Sequence, residues 1–380
     1  MDSTEMGNST ESPPFEFSDY TQRVIVAVIY LIVILLGTVG NVLVILSMSL
    51  SKKLRTATNI FVVNLSIGDL LTCLALPWTV ATTLSKNGLP FNTWVCSLAA
   101  AIQATAIGCS MYTLAFIGLQ RLLLIKWRAS AYRIIYTPRK IVAWLVVTWS
   151  IPLLLTLIPP LADVGEIGYN KKYHHCGFPS THPRSGDYDL IIALGFYPLP
   201  FLILILCYAS IWRHLCHVVK STKHPKASAE LSMGESVATE NSPSGKPAPV
   251  RRGTLRRSQM SRHQTKVTKN MFYIVCAFTL CLIPFGICLL VNGTEPFLPY
   301  AYAILVFNSC VNPLIYASKH HDFKSVFCCI LRCKWDNIPE PSDFLKRLIS
   351  NKVNKPSIST RSSAEKPFQV PEKTDTPVTE

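Results

Sequence analysis

The sequence predicts an all-α membrane protein, a seven-transmembrane helix bundle with a short amphipathic eighth helix. Its composition is 49% hydrophobic and only 16% charged, and its mean hydropathy is +0.30, more apolar than is usual for a soluble protein. Seven apolar stretches are each long enough to span a bilayer, which takes about 20 helical residues. Lysine and arginine concentrate in alternate loops between these stretches, as is typical of cytoplasmic loops.

The predicted spans divide the chain into an outer segment, a helical domain and a tail. They lie near residues 24–50, 59–85, 95–126, 140–161, 188–217, 267–292 and 297–317, and the amphipathic segment HHDFKSVFCCIL follows. The first apolar run is too long for a signal peptide and lacks a cleavage site, so we expect it to remain as a span. We therefore expect an extracellular segment at 1–23 and a helical domain at 24–333. Their polar composition predicts disorder for the loop 220–263 and the tail 334–380.

The loop charges predict the orientation. The first loop contains Lys52, Lys53 and Arg55 without an acid, so we place it in the cytoplasm and the N-terminus outside, in a multi-pass plasma-membrane protein. The net charge of +15 lies mostly in such loops, so we do not predict nucleic-acid binding. Asn8 begins a glycosylation sequon in the outer segment. Cys96 and Cys176 both fall on the outer side, where a disulfide is expected, with two free thiols as the alternative.

One carboxylate, Asp69, lies deep within a predicted span. Ionisable groups in a bilayer are costly and indicate function by default. The polar side chains near mid-depth of other spans are Asn41, Ser110, Asn308, Ser309 and Asn312. Together with Asp69 they predict either a site for a hard cation or a polar network that fixes helix packing.

The sequence favours neither an enzyme nor a charged transport pathway. It contains no GxSxG, HExxH or P-loop pattern, so we predict no catalytic residue and no cofactor. A transporter would need a second set of polar groups at mid-membrane and usually an internal repeat, and neither is evident.

Several motifs together resemble those of the rhodopsin-like (class A) G-protein-coupled receptors, over roughly residues 24–333. The motifs are GN in span one, NLSIGDLL in span two, an arginine ending span three, a tryptophan before a proline in span four, FTLCLIP in span six and NPLIY in span seven. The resemblance implies partners: a heterotrimeric G protein, arrestin, an unknown extracellular ligand and membrane lipids. Within the family, the chain looks similar to the moody and trapped-in-endoderm receptors and the medium-chain fatty-acid receptor, with stretches like melatonin receptors.

The resemblance assigns roles to particular residues. It implies an outer disulfide between Cys96 and Cys176, and a pocket for an allosteric sodium ion around Asp69. The sodium pocket would use Asp69, Ser110, Asn308 and Asn312. Activation and G-protein coupling would use Gln120, Arg121, Tyr208, Phe278, Pro284, Asn312, Pro313 and Tyr316. A ligand would contact Gln103, Leu282, Phe285 and Val306, and palmitate would be carried by Cys328, Cys329 and Cys333. Thr254 and Ser258 follow arginine pairs, which predicts either phosphorylation or an ordinary basic cluster.

The departures from the family sharpen the expectation. Leu282 stands where the family usually has tryptophan, Gln103 where amine receptors have aspartate, and Val306 where opsins carry the retinal lysine. An uncharged cavity favours a neutral, lipid-like or peptide ligand, because a buried charge needs a counterion. Gln120 replaces the acid that precedes the arginine, which predicts a weak resting lock and basal signalling. A melatonin-like receptor and a ligand-independent receptor or scaffold remain as alternatives.

Overall fold

The computed structural model describes residues 15–126, 137–223, 272–291 and 293–353. Seven helical spans in this part of the chain are long and apolar enough to cross a membrane, which confirms the predicted bundle. The helices are α1 Tyr20–Leu50, α2 Ala57–Leu84, α3 Thr93–Lys126, α4 Pro138–Leu161, α5 Ser185–Phe196, α6 Pro198–Lys223, α7 Phe272–Leu290, α8 Leu298–Lys319, α9 His321–Leu331 and α10 Asp343–Val353. The described residues also form 3-10 turns at Lys52–Leu54, Glu295–Phe297 and Trp335–Asn337.

The third span, α3, forms the centre of the bundle and contacts α2, α4 and α6. Two glycines allow close approach. A Cβ atom on Gly108 would lie 2.6 Å from Pro152 of α4, and one on Gly118 would lie 3.3 Å from Leu204 of α6. Small residues at such crossings are the usual means of close helix packing in membranes. Leucines such as Leu35 on α1 are exposed, as expected where the surrounding solvent is lipid.

The fifth span is broken into α5 and α6 at Tyr197. Pro198 and Pro200 begin α6 and lack the N–H groups that would continue the helix. At the break, the hydroxyl of Tyr112 donates a hydrogen bond of 2.7 Å to the carbonyl of Gly195. The two prolines therefore interrupt the helical hydrogen bonding of this span, and the carbonyl of Gly195 at the break is bonded from α3.

A short hairpin covers one end of the bundle, named here the hairpin end. Strands β1 Gly168–Asn170 and β2 His175–Gly177 pair antiparallel, with Tyr169 opposite Cys176. The predicted disulfide between Cys96 and Cys176 is confirmed, with Cα atoms 5.1 Å apart. It ties the hairpin to the beginning of α3.

The tail prediction was wrong for residues 334–353. This segment forms the turn at Trp335–Asn337 and helix α10, and it buries Ile338 and Leu345 in the main hydrophobic core. The polar composition of this segment did not indicate that Ile338 and Leu345 would be buried or that its backbone would pair with the first loop. Residues 220–223, predicted as loop, are the helical end of α6. Asn8, Thr254 and Ser258 lie outside the described residues.

Candidate ligand and signalling sites

Asp69 on α2 lies in a polar group that α8 completes. Asn312 Nδ2 donates to Asp69 Oδ2 at 2.8 Å, and Ser309 Oγ donates to Asp69 Oδ1 at 3.3 Å. The hydroxyl of Ser110 on α3 bonds the same carboxylate. Asn41 on α1 donates to the carbonyl of Ser309 at 2.9 Å. The structure thus brings together four spans at one buried carboxylate.

This group has the chemistry of a hard-cation site. The side-chain oxygens of Asn41, Asn308 and Asn312 are buried without a protein hydrogen-bond partner, and such atoms usually bond water or an ion. Among the described residues, no group of three or more histidine, cysteine or acidic side chains could hold a metal. Oxygen atoms from one acid, hydroxyls and amides suit sodium with water better than a transition metal.

Arg121 lies near the end of α3 that is far from the hairpin, and it is buried together with its neighbour Gln120. Tyr208 of α6 is also buried, and its ring packs 5.8 Å from that of Phe272 on α7. Tyr316 of α8 stacks on Phe323 of α9 with ring centroids 5.3 Å apart. The hydroxyls of Tyr208 and Tyr316 are both buried without a protein hydrogen-bond partner. Each of these two hydroxyls could therefore form a new hydrogen bond in a different arrangement of the helices.

Helix α7 carries the residues predicted for a sixth-span switch. Phe278 and Leu282 are buried in the main core, four residues apart on one face of α7. Pro284 follows within the same helix and is partly buried. A proline at this depth removes one backbone hydrogen bond and weakens the helix locally. Pro284 therefore lies beside an apolar contact surface, at a point where α7 lacks one backbone hydrogen bond.

Gln103 is held by two residues that no motif in the sequence indicates. Its Nε2 donates to Thr79 Oγ1 at 3.0 Å, and its Oε1 accepts from the hydroxyl of Tyr302 at 2.5 Å. The amide is buried, and its bonds join α2, α3 and α8. Gln103 is therefore a buried link between three spans. Its partners were missed because helix register across the bundle is not visible in one sequence.

Aromatic side chains surround Tyr302 towards the hairpin end. Phe285 of α7 lies 5.8 Å from the Tyr302 ring, and His175 of β2 also lies 5.8 Å from it. Burial lowers the pKa of His175 to about 4, so the imidazole is neutral at physiological pH. The fourth predicted ligand residue, Val306, is buried in a neighbouring apolar cluster that Tyr302 also contacts. These side chains form an apolar and neutral aromatic surface.

The segment before α1 covers the same end of the bundle. Phe17 is buried, and its ring meets Tyr300 edge-on at 6.0 Å. The backbone N–H of Phe17 donates to the carbonyl of Lys172 at 2.8 Å. Arg23 is only 4% exposed, and it donates to the carbonyls of Thr83 and Ser85 at the end of α2. A cation at a helix C-terminus is favourable, so Arg23 locks α1 to α2 at the hairpin end.

Asn64 connects three spans near the middle of the bundle and was also missed. Its Nδ2 donates to Thr113 Oγ1 on α3 at 2.8 Å, and its Oδ1 accepts from Trp149 Nε1 on α4 at 2.8 Å. The tryptophan was identified from the sequence as part of a motif, but its partner was not. These two hydrogen bonds join α2, α3 and α4 through one side chain.

The three cysteines predicted to carry palmitate are not equivalent. Cys328 and Cys333 are exposed, whereas Cys329 is partly buried. The thiol of Cys329 donates to the carbonyl of Asn337 at 3.4 Å. Cys328 and Cys333 are therefore more accessible for acylation than Cys329 in this conformation.

Comparison with known proteins decides the family. The family model described as 7 transmembrane receptor (rhodopsin family) matches residues 40–316. The chain belongs to this family. Rhodopsin-family receptors are signalling receptors and not enzymes. The squid rhodopsin crystal structure matches with a TM-score of 0.64 at 20% identity, over 90% of this chain and 93% of that one, which shows the shared fold.

Several curated rhodopsin-family receptors are similar at low identity. The G-protein coupled receptor moody of Drosophila melanogaster is 25% identical over 86% of this chain and 54% of its own length. The alpha-1D adrenergic receptor of Mus musculus is 27% identical, over 79% of this chain and 56% of its length. This chain thus spans little more than half of either relative. The melatonin receptor type 1A of Phodopus sungorus is 25% identical over 84% of this chain and 86% of its length.

Proposed function

We propose that this receptor binds a neutral, lipid-like or peptide ligand at the hairpin end and activates heterotrimeric G proteins at the opposite end of the bundle. This opposite end, where α9 lies, is named here the α9 end. The observation that carries the ligand class is the neutral surface around Tyr302. Gln103 is occupied by Thr79 and Tyr302, and the surrounding contacts come from Phe285 and neutral His175. A cationic ligand in contact with these side chains would lose its hydration without a counterion among them, which costs several kcal/mol.

The orientation proposed for the receptor follows its loop charges. The first loop, with Lys52, Lys53 and Arg55, joins α1 to α2 at the α9 end, and basic short loops face the cytoplasm. The hairpin end would then be extracellular, which agrees with the disulfide between Cys96 and Cys176 because disulfides persist in oxidising compartments. The receptor would reside in the plasma membrane.

Signalling would be a shift between two helix arrangements that the agonist biases. Outward movement of α7 about Pro284 would open a cleft beside Arg121 for the G protein. The unpartnered hydroxyls of Tyr208 and Tyr316 support this proposal because each can gain a hydrogen bond in a second arrangement. Arrestin would use the same cleft, and phosphates on Thr254 and Ser258 would reverse the local charge of the long loop.

The group around Asp69 would hold an allosteric sodium ion in the resting arrangement. Asp69, Ser110, Asn308 and Asn312 supply the oxygen ligands that such an ion prefers. The bound ion would neutralise the carboxylate and link α2, α3 and α8. Cys328 and Cys333 would carry palmitate and anchor α9 to the bilayer.

The test is guanine-nucleotide exchange by a panel of Gα proteins with the purified receptor in lipid nanodiscs. Tissue extract separated into neutral, anionic and cationic small molecules and peptides is added fraction by fraction. Stimulation by a neutral-lipid or peptide fraction supports the proposal. Stimulation only by cationic amines contradicts the ligand class, and pure melatonin as the active compound would favour the melatonin-like alternative. Exchange that no fraction changes would favour the ligand-independent receptor.

A further inference from the structure

The segment after α9 returns to the point where α1 leaves the membrane. The N–H of Ser342 donates to the carbonyl of Leu50 at 2.8 Å, and the N–H of Lys52 donates to the carbonyl of Glu340 at 2.8 Å. Ser51 and Pro341 form an antiparallel bridge. Leu50 is the last residue of the first span. The start of α10 is therefore fixed at the end of the first membrane span.

Helix α10 has two adjacent apolar edges with different surroundings. Leu345 is buried in the main core, and Ile349 packs against it. Phe344 and Leu348 are 64% and 50% exposed, and a spacing of four residues places them on one side of the helix. One apolar edge is thus occupied by the protein, whereas the other is exposed at the level of the membrane surface.

The opposite face of α10 is polar and basic. Lys346, Arg347 and Ser350 are exposed. The acid that begins the helix, Asp343, forms an ion pair with Lys52 at 2.6 Å and is directed to the first loop. A helix with exposed aromatic and aliphatic residues on one side and lysine or arginine on the other is typical of a membrane-surface helix.

The exposed edge of α10 also continues surfaces that lipid must cover. Leu46, one turn before the end of α1, is exposed on a membrane span, and Leu331 at the end of α9 is 66% exposed. The neighbouring Cys333 is exposed as well. The ends of α1 and α9 next to α10 therefore already face lipid.

We infer that α10 is a second membrane-surface helix, lying against the inner leaflet with Phe344 and Leu348 at the acyl boundary and Lys346 and Arg347 among anionic headgroups. The choice of leaflet follows from the orientation proposed above, and the lipid contact itself does not depend on the ligand or the G protein. Basic residues next to a membrane surface attract the anionic lipids of the cytoplasmic leaflet. The helix would tie the tail, the first loop and α9 to the bilayer as one unit.

The first test places a fluorescent amino acid, sensitive to its environment, at Leu348 of the full-length receptor. The matched probe replaces Ser350, which lies on the polar face of the same helix. The receptors are compared in nanodiscs of phosphatidylcholine with and without phosphatidylserine. We expect blue-shifted emission from position 348 that brominated acyl chains quench, and water-like emission from position 350. Water-like emission from both positions, or a blue shift at 348 only after a G protein or a second receptor is added, would overturn the inference.

Charge variants provide the second test. With the probe at 348, Phe344→Asp should move its emission towards that of water, whereas Ser350→Asp, which adds the same charge to the polar face, should leave it unchanged. In the double variant Lys346→Gln, Arg347→Gln, the effect of phosphatidylserine on the equilibrium between membrane-bound and water-exposed probe should fall about fivefold for each charge removed. If the variants leave the emission and its lipid dependence as in the wild type, α10 does not contact the bilayer in this way.

Discussion

Tyr302 on α8 donates a hydrogen bond of 2.5 Å to Oε1 of Gln103 on α3. The same amide donates to Thr79 on α2, so one side chain joins three spans beneath the hairpin. In the family resemblance this position is a direct ligand contact. Here it is an internal connection, and a ligand would act on it through the ring of Tyr302.

Removing the Tyr302 hydroxyl should destabilise the receptor. Tyr302→Phe leaves Oε1 of buried Gln103 without its donor, and an unsatisfied buried polar group costs about 1–3 kcal/mol. We expect a lower thermal unfolding temperature in detergent. Tyr300→Phe is the matched control because the Tyr300 ring packs edge-on against Phe17, and that contact does not use the hydroxyl. Equal unfolding temperatures for the two variants would show that the hydrogen bond does not stabilise the bundle.

Gln120→Asp should lower basal signalling. Gln120 is buried next to Arg121, and a carboxylate there would add a charge-assisted bond to the guanidinium of about 1.5–3 kcal/mol. That energy corresponds to a shift of roughly 10- to 160-fold towards the resting arrangement. The measurement is nucleotide exchange in membranes without added ligand, with Gln120→Asn as the control of similar shape. A silent wild type together with an unchanged aspartate variant would refute the idea.

Sodium should suppress basal exchange through Asp69. Raising sodium chloride, with choline chloride to keep ionic strength constant, should lower exchange in the wild type. Asp69→Asn should abolish that response because the amide cannot neutralise the ion. Asp189→Asn makes the same chemical change at an exposed position on α5 and should keep the response. Sodium sensitivity that survives in the Asp69 variant would place the ion elsewhere or show a general salt effect.

Acidic pH should lower the stability of the structure at the hairpin end. Because burial lowers the pKa of His175 from 6.5 to about 4, the unfolded chain binds a proton in this pH range that the folded chain excludes. The stabilisation is complete above pH 6.5 and is lost as the pH falls towards 4, with an upper limit of about 3 kcal/mol.

The measurement is the unfolding temperature at pH 7.5 and pH 5. His175→Phe should reduce the difference between the two temperatures. His321→Gln, at a highly exposed histidine near the other end, should retain it. The same pH difference in all three proteins would mean that other groups cause it.

The spans and their polar centre were predictable because both depend on local patterns. Apolar runs of sufficient length give the helices, and a lone deep carboxylate such as Asp69 requires polar neighbours wherever it lies. The disulfide was predictable because the side of the membrane narrows the choice to Cys96 and Cys176. The bond between Tyr302 and Gln103 depends on how two distant helices are rotated relative to one another, which periodicity alone does not specify.

Helix α10 was missed for a different physical reason. Its 11 residues are too few to be stable alone in water, and the surrounding prolines, serines and charges are typical of disorder. The helix is stabilised by non-local contacts, namely burial of Leu345 and the backbone bonds to Leu50 and Lys52. The tail needed a tertiary partner, and the partner lies almost 300 residues earlier in the chain.

The most direct test of the proposed ligand class is nucleotide exchange by purified wild-type receptor and Gln103→Ala, each titrated with a panel of neutral lipids, peptides and small cationic amines. The neutral surface around Tyr302 predicts activation by a neutral lipid or a peptide, and no response to amines at nanomolar concentration. We expect the alanine variant to respond more weakly to the same ligand because Tyr302 loses its acceptor. A nanomolar response to a small amine that disappears in Gln103→Ala would contradict the proposed ligand class.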